Sequence, residues 1–202
     1  MKFLVFGASG RTGRAFASQA LAAGHDVAAF VRNPEATLPE GVTVTTGDVL
    51  DAAAVAAVVR SDHTIVVTLG QVDALTIGAG HVIRAAVAAG ARRLLGVVGA
   101  GVLQADEERF RHELPDYPAP FRVIGAAHKA FFDALQASAL DWTLACTPRI
   151  VDGPRTGATR VAARYLPEGT GAITTSDVAA FLLAEAVEPR FVRERVGLNG
   201  TR

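Results

Sequence analysis

The fold of this chain is decided by the stretch Lys2-Phe-Leu-Val-Phe-Gly-Ala-Ser-Gly-Arg-Thr-Gly-Arg14. It begins as a short apolar run that ends abruptly at Gly7, which predicts a buried parallel strand. Gly10 and Gly13 follow at three-residue intervals, and an Ala-rich, helix-forming segment covers about Thr12 to Ala23. A glycine turn between a strand and a helix lets the backbone approach a pyrophosphate, which the free amides of the first helical turn then bind. The stretch therefore predicts a nucleotide phosphate site, and a tight turn without a ligand is the alternative.

The composition excludes several classes of protein. The 202 residues carry 20 Lys and Arg against 20 Asp and Glu, so no basic excess points to a nucleic acid or to a membrane surface. No apolar stretch has the length and pattern of a membrane span. The single cysteine, Cys146, excludes an intrachain disulfide and a cysteine-based zinc site, and we predict no metal. Because the first strand begins at Lys2 and carries the glycine motif, we do not expect a signal peptide, and we predict a cytoplasmic protein.

Apolar runs alternate with Ala-rich segments along most of the chain. The runs lack the in-out alternation of a half-exposed sheet, which is typical of parallel strands covered on both faces. This order predicts an α/β fold with a doubly wound parallel sheet, the Rossmann fold, as a single domain over residues 1–202. We expect the strand order 3-2-1-4-5-6, with a ligand near the switch point between strands 1 and 4. The later predicted strands are 26–31, 42–46, 64–68, 93–98 and 142–147, and the later predicted helices are 52–60, 81–89 and 121–138.

Two segments outside this alternation are predicted to border the ligand cleft. Residues 104–120 are charged and then proline-rich, and we expect a short helix and a loop there; a solvated surface excursion is the alternative. Residues 151–172 are rich in glycine, proline and arginine and are predicted to form a loop at the second wall. Beyond them, Ser176-Asp177 is expected to cap a last helix that ends at Ala186, and residues 195–198 to add a strand.

Arg32 lies where the second predicted strand ends, about 20 residues after the glycines. NAD-binding sheets carry an acidic residue there for the ribose 2′-hydroxyl, whereas an arginine suits the 2′-phosphate of NADP. The guanidinium is a planar, charged fork that matches a phosphate, and Arg11 in the glycine loop could support it. We therefore predict NADP(H) as the cofactor, and a solvated turn residue is the alternative for Arg32.

Two further strand ends supply predicted cofactor contacts. Asp48, which ends the third strand, is placed to meet the adenine ring with apolar contact from Val49; capping of the helix that begins near residue 50 or 51 is an equal alternative for Asp48. The fourth strand ends in Thr68, Leu69 and Gly70, where the nicotinamide ribose would lie and where glycine permits close approach.

These residues resemble an atypical short-chain dehydrogenase/reductase of the NmrA-like, NAD(P)H-binding kind, a group that includes the flavin reductase biliverdin reductase B. The resemblance covers nearly the whole chain, and its front half is specific for nucleotide binding. It depends on Gly7 to Gly13, Gly24-His-Asp-Val27, Val31-Arg-Asn-Pro34, Gly47-Asp-Val-Leu-Asp51, Ser138-Ala-Leu-Asp-Trp-Thr143 and residues 173–179. It implies that NADPH is held by Gly7, Ser9, Gly10, Arg11, Thr12, Gly13 and Arg32. It also implies that the nicotinamide lies near the backbone of Thr147, Pro148 and Ile150.

The chain departs from this family in its proton-transfer residues. Short-chain dehydrogenases commonly use a Tyr-x-x-x-Lys pair with a nearby serine, but Gly125 stands four residues before Lys129 here. The expected serine position has Val98-Gly99-Ala100 instead. Lys129 is left as a candidate ribose ligand and His128 as a candidate catalytic proton carrier; helix-surface residues without a role are the alternative for both.

Two functions fit this set of residues. The first is an NADPH-dependent reductase that transfers hydride to a flavin, a quinone or a tetrapyrrole, since these planar acceptors need mainly proximity and orientation from the protein. The second is an NADP(H)-binding redox sensor or regulatory protein without turnover. The only partner we predict is a small-molecule acceptor, and monomer and homodimer are both open.

Overall fold

The computed structural model describes residues 1–201, which form a central eight-stranded sheet covered by helices on both faces. The strands are β1 Lys2–Phe6, β2 Asp26–Val31, β3 Thr43–Thr46, β4 His63–Val67, β5 Arg93–Gly99, β6 Asp141–Thr147, β7 Arg149–Val151, β8 Thr159–Ala163, β9 Ala172–Thr174 and β10 Glu194–Gly200. The α-helices are α1 Arg11–Ala22, α2 Ala52–Val58, α3 Ala79–Ala89, α4 Arg122–Gln136 and α5 Thr175–Val187.

The order of the main sheet is β3-β2-β1-β4-β5-β6-β10-β8. Its first six strands are parallel and confirm the predicted order 3-2-1-4-5-6. β10 extends this arrangement parallel to β6, and β8 closes the far edge antiparallel to β10. The chain is therefore a doubly wound α/β protein with one antiparallel edge strand.

Each face of the sheet has its own apolar core. On one face, α1 and α5 bury side chains such as Phe16 and Leu182 against β1 and its neighbours. On the other, α2, α3 and α4 pack on the sheet, and Phe131, Phe132 and Leu135 of α4 lie in this core. Cys146 is fully buried in the same core, and burial raises the pKa of its thiol.

The segment 151–172 is not the continuous loop that was expected. Its middle forms β8, because the backbone of Thr159–Ala163 pairs with the later strand β10. Its last residue begins β9, which pairs in parallel with β7 as a separate two-stranded sheet. In 104–120 the short helix reduces to single 3₁₀ turns at Arg111–Glu113 and Ala119–Phe121, since the prolines of this segment interrupt longer helical hydrogen bonding.

The last helix begins earlier than predicted. Thr174 caps α5, because its hydroxyl oxygen accepts the amide of Asp177 at 3.0 Å. Asp177 is 5% exposed, and its carboxylate accepts from the amides of Thr156 and Gly157 at 3.0 and 3.1 Å. Ser176-Asp177 is therefore not the cap: its acidic member instead holds the chain between β7 and β8. None of the helices within residues 1–201 is long and apolar enough to cross a membrane.

Candidate functional site

The glycine turn lies where β1 and β4 end side by side, at the switch point of the sheet. Gly7 has a φ of +90°, and a Cβ on it would lie 2.7 Å from the carbonyl oxygen of Thr68. A Cβ on Gly13 would lie 2.3 Å from the carbonyl oxygen of Gly7. Only glycine fits either position, since one lies in the left-handed region and both are closed by backbone atoms. The hydroxyl of Thr68 donates to the Gly7 carbonyl at 3.0 Å and fixes the turn.

The start of α1 is free to bind an anion. Gly10 precedes the helix, and no side chain within residues 1–201 caps its first amides. These amides therefore point their hydrogens into the cleft with the positive end of the helix dipole behind them. A phosphate there would receive several backbone hydrogen bonds without any charged side chain.

A first cavity of about 290 Å³ runs from the glycine turn across the ends of β1, β2 and β3. Arg32 lies at its rim, with its guanidinium 3.5 Å from the side-chain oxygen of Gln71, a residue that sequence reasoning missed. The predicted contact residues that line this cavity are Gly7, Ser9, Gly10, Arg32, Asp48, Val49, Thr68, Leu69 and Gly70.

Asp48 does not cap a helix. Its carboxylate accepts the amide of Leu50 at 2.9 Å and stabilises the turn after β3, while Asp51 is the residue that caps α2. Val49 is held from the other side, because the Nδ1 of His81 lies 3.0 Å from the Val49 carbonyl oxygen. A Cβ on Gly78 would lie 2.7 Å from Val49 as well. Gly78, just before α3, and His81, within it, thus hold Val49 in the wall of the first cavity. In the sequence, only their location at the start of this helix could have suggested that role.

A second cavity of about 390 Å³ opens beside the first, across the ends of β4, β5 and β6. The two cavities share a wall of four residues, namely Gly10, Thr68, Leu69 and Gly70. The predicted residues found only in the second cavity are Arg11, Thr12, His128, Thr147, Pro148 and Ile150. The hydroxyl of Thr147 lies 3.4 Å from the Val98 carbonyl oxygen, so it is turned toward the backbone of β5.

His128 lines the second cavity as a neutral imidazole. The amide of Gly99 donates to its Nδ1 at 3.2 Å, so the ring proton is on Nε2. Burial lowers the pKa of His128 to about 4. The side chain therefore offers a hydrogen-bond donor near neutral pH, and an imidazolium is not available there as a general acid.

The structure gives no support to two of the contacts suggested for Arg11 and Lys129. Arg11 lines the second cavity and pairs with Asp152 at 3.5 Å, whereas Arg32 lines the first, so Arg11 does not support Arg32. Lys129 lines neither cavity: its ammonium pairs with Asp133 at 2.7 Å and lies 5.0 Å from the ring centre of Phe110. The predicted ribose contact of Lys129 thus has no support from its position.

Comparisons with known proteins identify the family to which the chain is similar. Residues 7–189 match the model of a family described as NAD(P)H-binding. The uncharacterized protein YwnB of Bacillus subtilis strain 168 is 27% identical over 207 residues and is covered to 96%, as is this chain. The structure of ChuY, an anaerobilin reductase from Escherichia coli O157:H7, is similar with a TM-score of 0.87 and 26% identity, over 99% of this chain and 97% of that one. A protein from Burkholderia pseudomallei, provisionally named as exported, has a TM-score of 0.87 at 28% identity, over 98% of each chain.

Proposed function

Because this chain belongs to the NAD(P)H-binding family, we propose that it is an NADPH-dependent reductase whose hydride acceptor is a planar conjugated molecule such as a flavin, a quinone or a tetrapyrrole. The observation that carries the proposal is the pair of adjoining cavities. The first follows the switch point of the sheet, where such folds bind a dinucleotide, and the second opens beside it with a common wall at Thr68, Leu69 and Gly70. The dinucleotide would then span both: its adenosine and pyrophosphate lie in the first cavity, and its nicotinamide crosses the common wall toward Thr147, Pro148 and Ile150 in the second, where the acceptor stacks on it.

The glycine turn and the first cavity suit the adenosine and pyrophosphate part of a nicotinamide dinucleotide. The Gly7 and Gly13 positions have no room for a Cβ, so the turn brings bare backbone to the mouth of the cleft. The uncapped amides at the start of α1 suit the pyrophosphate, and Val49 offers an apolar surface to the adenine ring. When bound, this cofactor supplies the hydride, and the chain provides binding and orientation.

The proposed preference for NADPH, which carries a 2′-phosphate, over NADH depends on Arg32. Its side chain is exposed at the cavity rim and engages within residues 1–201 only the neutral amide of Gln71, at 3.5 Å. A guanidinium without a carboxylate partner is available to a phosphate. Within the same cavity Asp48 is committed to the turn that follows β3, since its carboxylate accepts the amide of Leu50.

The lining of the second cavity favours a conjugated acceptor over a simple carbonyl. Carbonyl reduction needs an acid at the nascent alkoxide, which the Tyr-x-x-x-Lys pair supplies elsewhere. Here Gly125 precedes Lys129 by four residues, and Lys129 is engaged with Asp133. A conjugated ring delocalises the added charge, so solvent can protonate it while the neutral His128 donates a hydrogen bond. The similarity to ChuY, an anaerobilin reductase, supports an acceptor of the tetrapyrrole kind.

The test is a turnover assay. The purified protein is mixed with NADPH, then with FMN, riboflavin, a benzoquinone or a linear tetrapyrrole, and the loss of the reduced nicotinamide absorbance is followed. Turnover above the uncatalysed rate with any acceptor supports the reductase. Tight NADPH binding without turnover across the panel contradicts it and favours the sensor, and failure to bind NADPH contradicts both.

A further inference from the structure

The lining of the second cavity carries a positive charge and no carboxylate. Among residues 1–201, Arg11 is the one charged side chain that lines it, because His128 is neutral and the other polar side chains of the lining are threonines. The guanidinium of an arginine stays protonated throughout the pH range in which proteins are folded. A ligand that enters this cavity therefore meets one cation that no carboxylate of the lining neutralises.

The carboxylate that pairs with Arg11 does not belong to the lining. Asp152, which follows β7, lies 3.5 Å from Nη1 of Arg11, and the two side chains are 71% and 55% exposed. An ion pair of this length and exposure is screened by water and salt and stabilises little. An anion in the cavity can therefore take the place of Asp152 at the guanidinium for a small loss of free energy.

The two members of this ion pair differ in freedom of movement. The backbone around Asp152 is fixed, since β7 pairs with β9 before it and the Gly153 carbonyl accepts the hydroxyl of Ser176 at 2.8 Å after it. Arg11 has a long side chain with many rotamers, more than half of it exposed. The guanidinium is thus the part that moves, and it can turn from Asp152 to a ligand in the cavity that it lines.

We propose that Arg11 is a specificity-determining residue for the acceptor: its guanidinium binds a phosphate or carboxylate substituent of the acceptor, and Asp152 is the internal counter-ion that this substituent displaces. The inference rests on the reductase function proposed above and adds a requirement for charge that is independent of the ring system. The planar fork of a guanidinium matches either anion with two parallel hydrogen bonds. A neutral acceptor leaves Arg11 paired with Asp152 and gains nothing from this contact.

The test compares acceptors that share a ring system and differ in charge, at saturating NADPH. FMN and riboflavin differ by a phosphate, and a linear tetrapyrrole dicarboxylate and its dimethyl ester differ by their carboxylates. Arg11→Gln raises KM for the anionic member about 5- to 20-fold and changes KM for the neutral member and Kd for NADPH far less. A response in either pair supports the proposal and identifies the anion.

Asp152→Asn gives a second variant with the opposite sign. It removes the competing carboxylate and lowers KM for the anionic member about 2- to 5-fold, the range expected for an exposed ion pair. Arg14→Gln is the matched control, since Arg14 is exposed on the next turn of α1 and lines neither cavity. A higher KM for the anionic member in Asp152→Asn would overturn the role of Asp152 as a competitor.

The ratio of the KM values for the neutral and the anionic member decides the role of Arg11. A ratio that stays at the wild-type value in Arg11→Gln for both pairs overturns the proposal, and weaker NADPH binding in this variant would then assign Arg11 to the cofactor.

If the wild type bound NADPH but reduced no acceptor, the reductase function would fail. Flavin Kd values from fluorescence quenching, measured on protein saturated with NADP⁺, would then test the charge requirement separately. Tighter binding of FMN than of riboflavin by the wild type but not by Arg11→Gln supports it, and equal affinities in the wild type overturn it.

Discussion

At the scale of single residues, Arg32 governs the proposed choice of cofactor. We expect Arg32→Glu to weaken NADPH binding about 10- to 100-fold and NADH binding far less, because the variant replaces a charge-assisted contact to the 2′-phosphate with repulsion. Kd values from nicotinamide fluorescence measure the difference. Arg84→Glu makes the same charge change on the exposed surface of α3 and serves as the control. Equal losses for both cofactors would remove Arg32 from the 2′-phosphate site.

His128 predicts a pH dependence of stability. Burial lowers its pKa from 6.5 to about 4, so between these values the unfolded chain binds a proton that the folded chain does not. The neutral His128 therefore makes its full contribution to the free energy of unfolding above pH 6.5. As the pH falls toward 4, the free energy of unfolding decreases by up to about 1.4 kcal/mol per pH unit. His128→Asn keeps an acceptor for the Gly99 amide without titrating. Urea unfolding at about pH 7 and about pH 5 should show a smaller loss in the variant; equal losses would mean that His128 titrates normally.

At the scale of elements, a substitution in the glycine turn should affect both stability and NADPH binding, whereas a substitution at Gly70, after β4, should affect binding alone. Gly13→Ala places a methyl 2.3 Å from the Gly7 carbonyl oxygen and should cost about 1–3 kcal/mol of unfolding free energy together with NADPH binding. A Cβ on Gly70 meets no atom within 4 Å, so Gly70→Ala should keep the melting temperature. It should nevertheless weaken NADPH binding, because the methyl points into space that the cofactor needs. Unchanged binding in Gly70→Ala would show that the cofactor does not approach this residue.

The elements also show which features a sequence can predict. The glycine turn and the six parallel strands depend on neighbours along the chain, and all were predictable from apolar runs and turn residues. β7, β8 and β9 are three to five residues long and exist through pairing with distant partners, so local patterns do not mark them. The same holds for side-chain direction: the sequence places Arg11 at the glycine turn, but its partner Asp152 lies 141 residues away.

At the scale of the whole molecule, β10 is an internal strand made from the end of the chain. It lies between β6 and β8 and beyond residues 7–189, the part matched by the family model. Leu198 on β10 is fully buried, so Leu198→Asp should cost more than about 4 kcal/mol and prevent cooperative folding. Val161, on the edge strand β8, is 39% exposed, and Val161→Asp should cost no more than about 1 kcal/mol. Thermal unfolding followed by circular dichroism compares them, and similar melting temperatures would contradict an internal β10.

The common wall of the two cavities has a consequence for kinetics. In the proposed reductase the nicotinamide reaches the second cavity past Thr68, Leu69 and Gly70, and the acceptor stacks on it there, so both molecules are bound when the hydride is transferred. The chain has one cysteine, and it is buried, so no dithiol can store a pair of electrons between two half-reactions. Turnover should therefore pass through a ternary complex. Double-reciprocal plots at several fixed acceptor concentrations should give intersecting lines; parallel lines, the mark of a ping-pong cycle, would mean that the two molecules take turns in a single space.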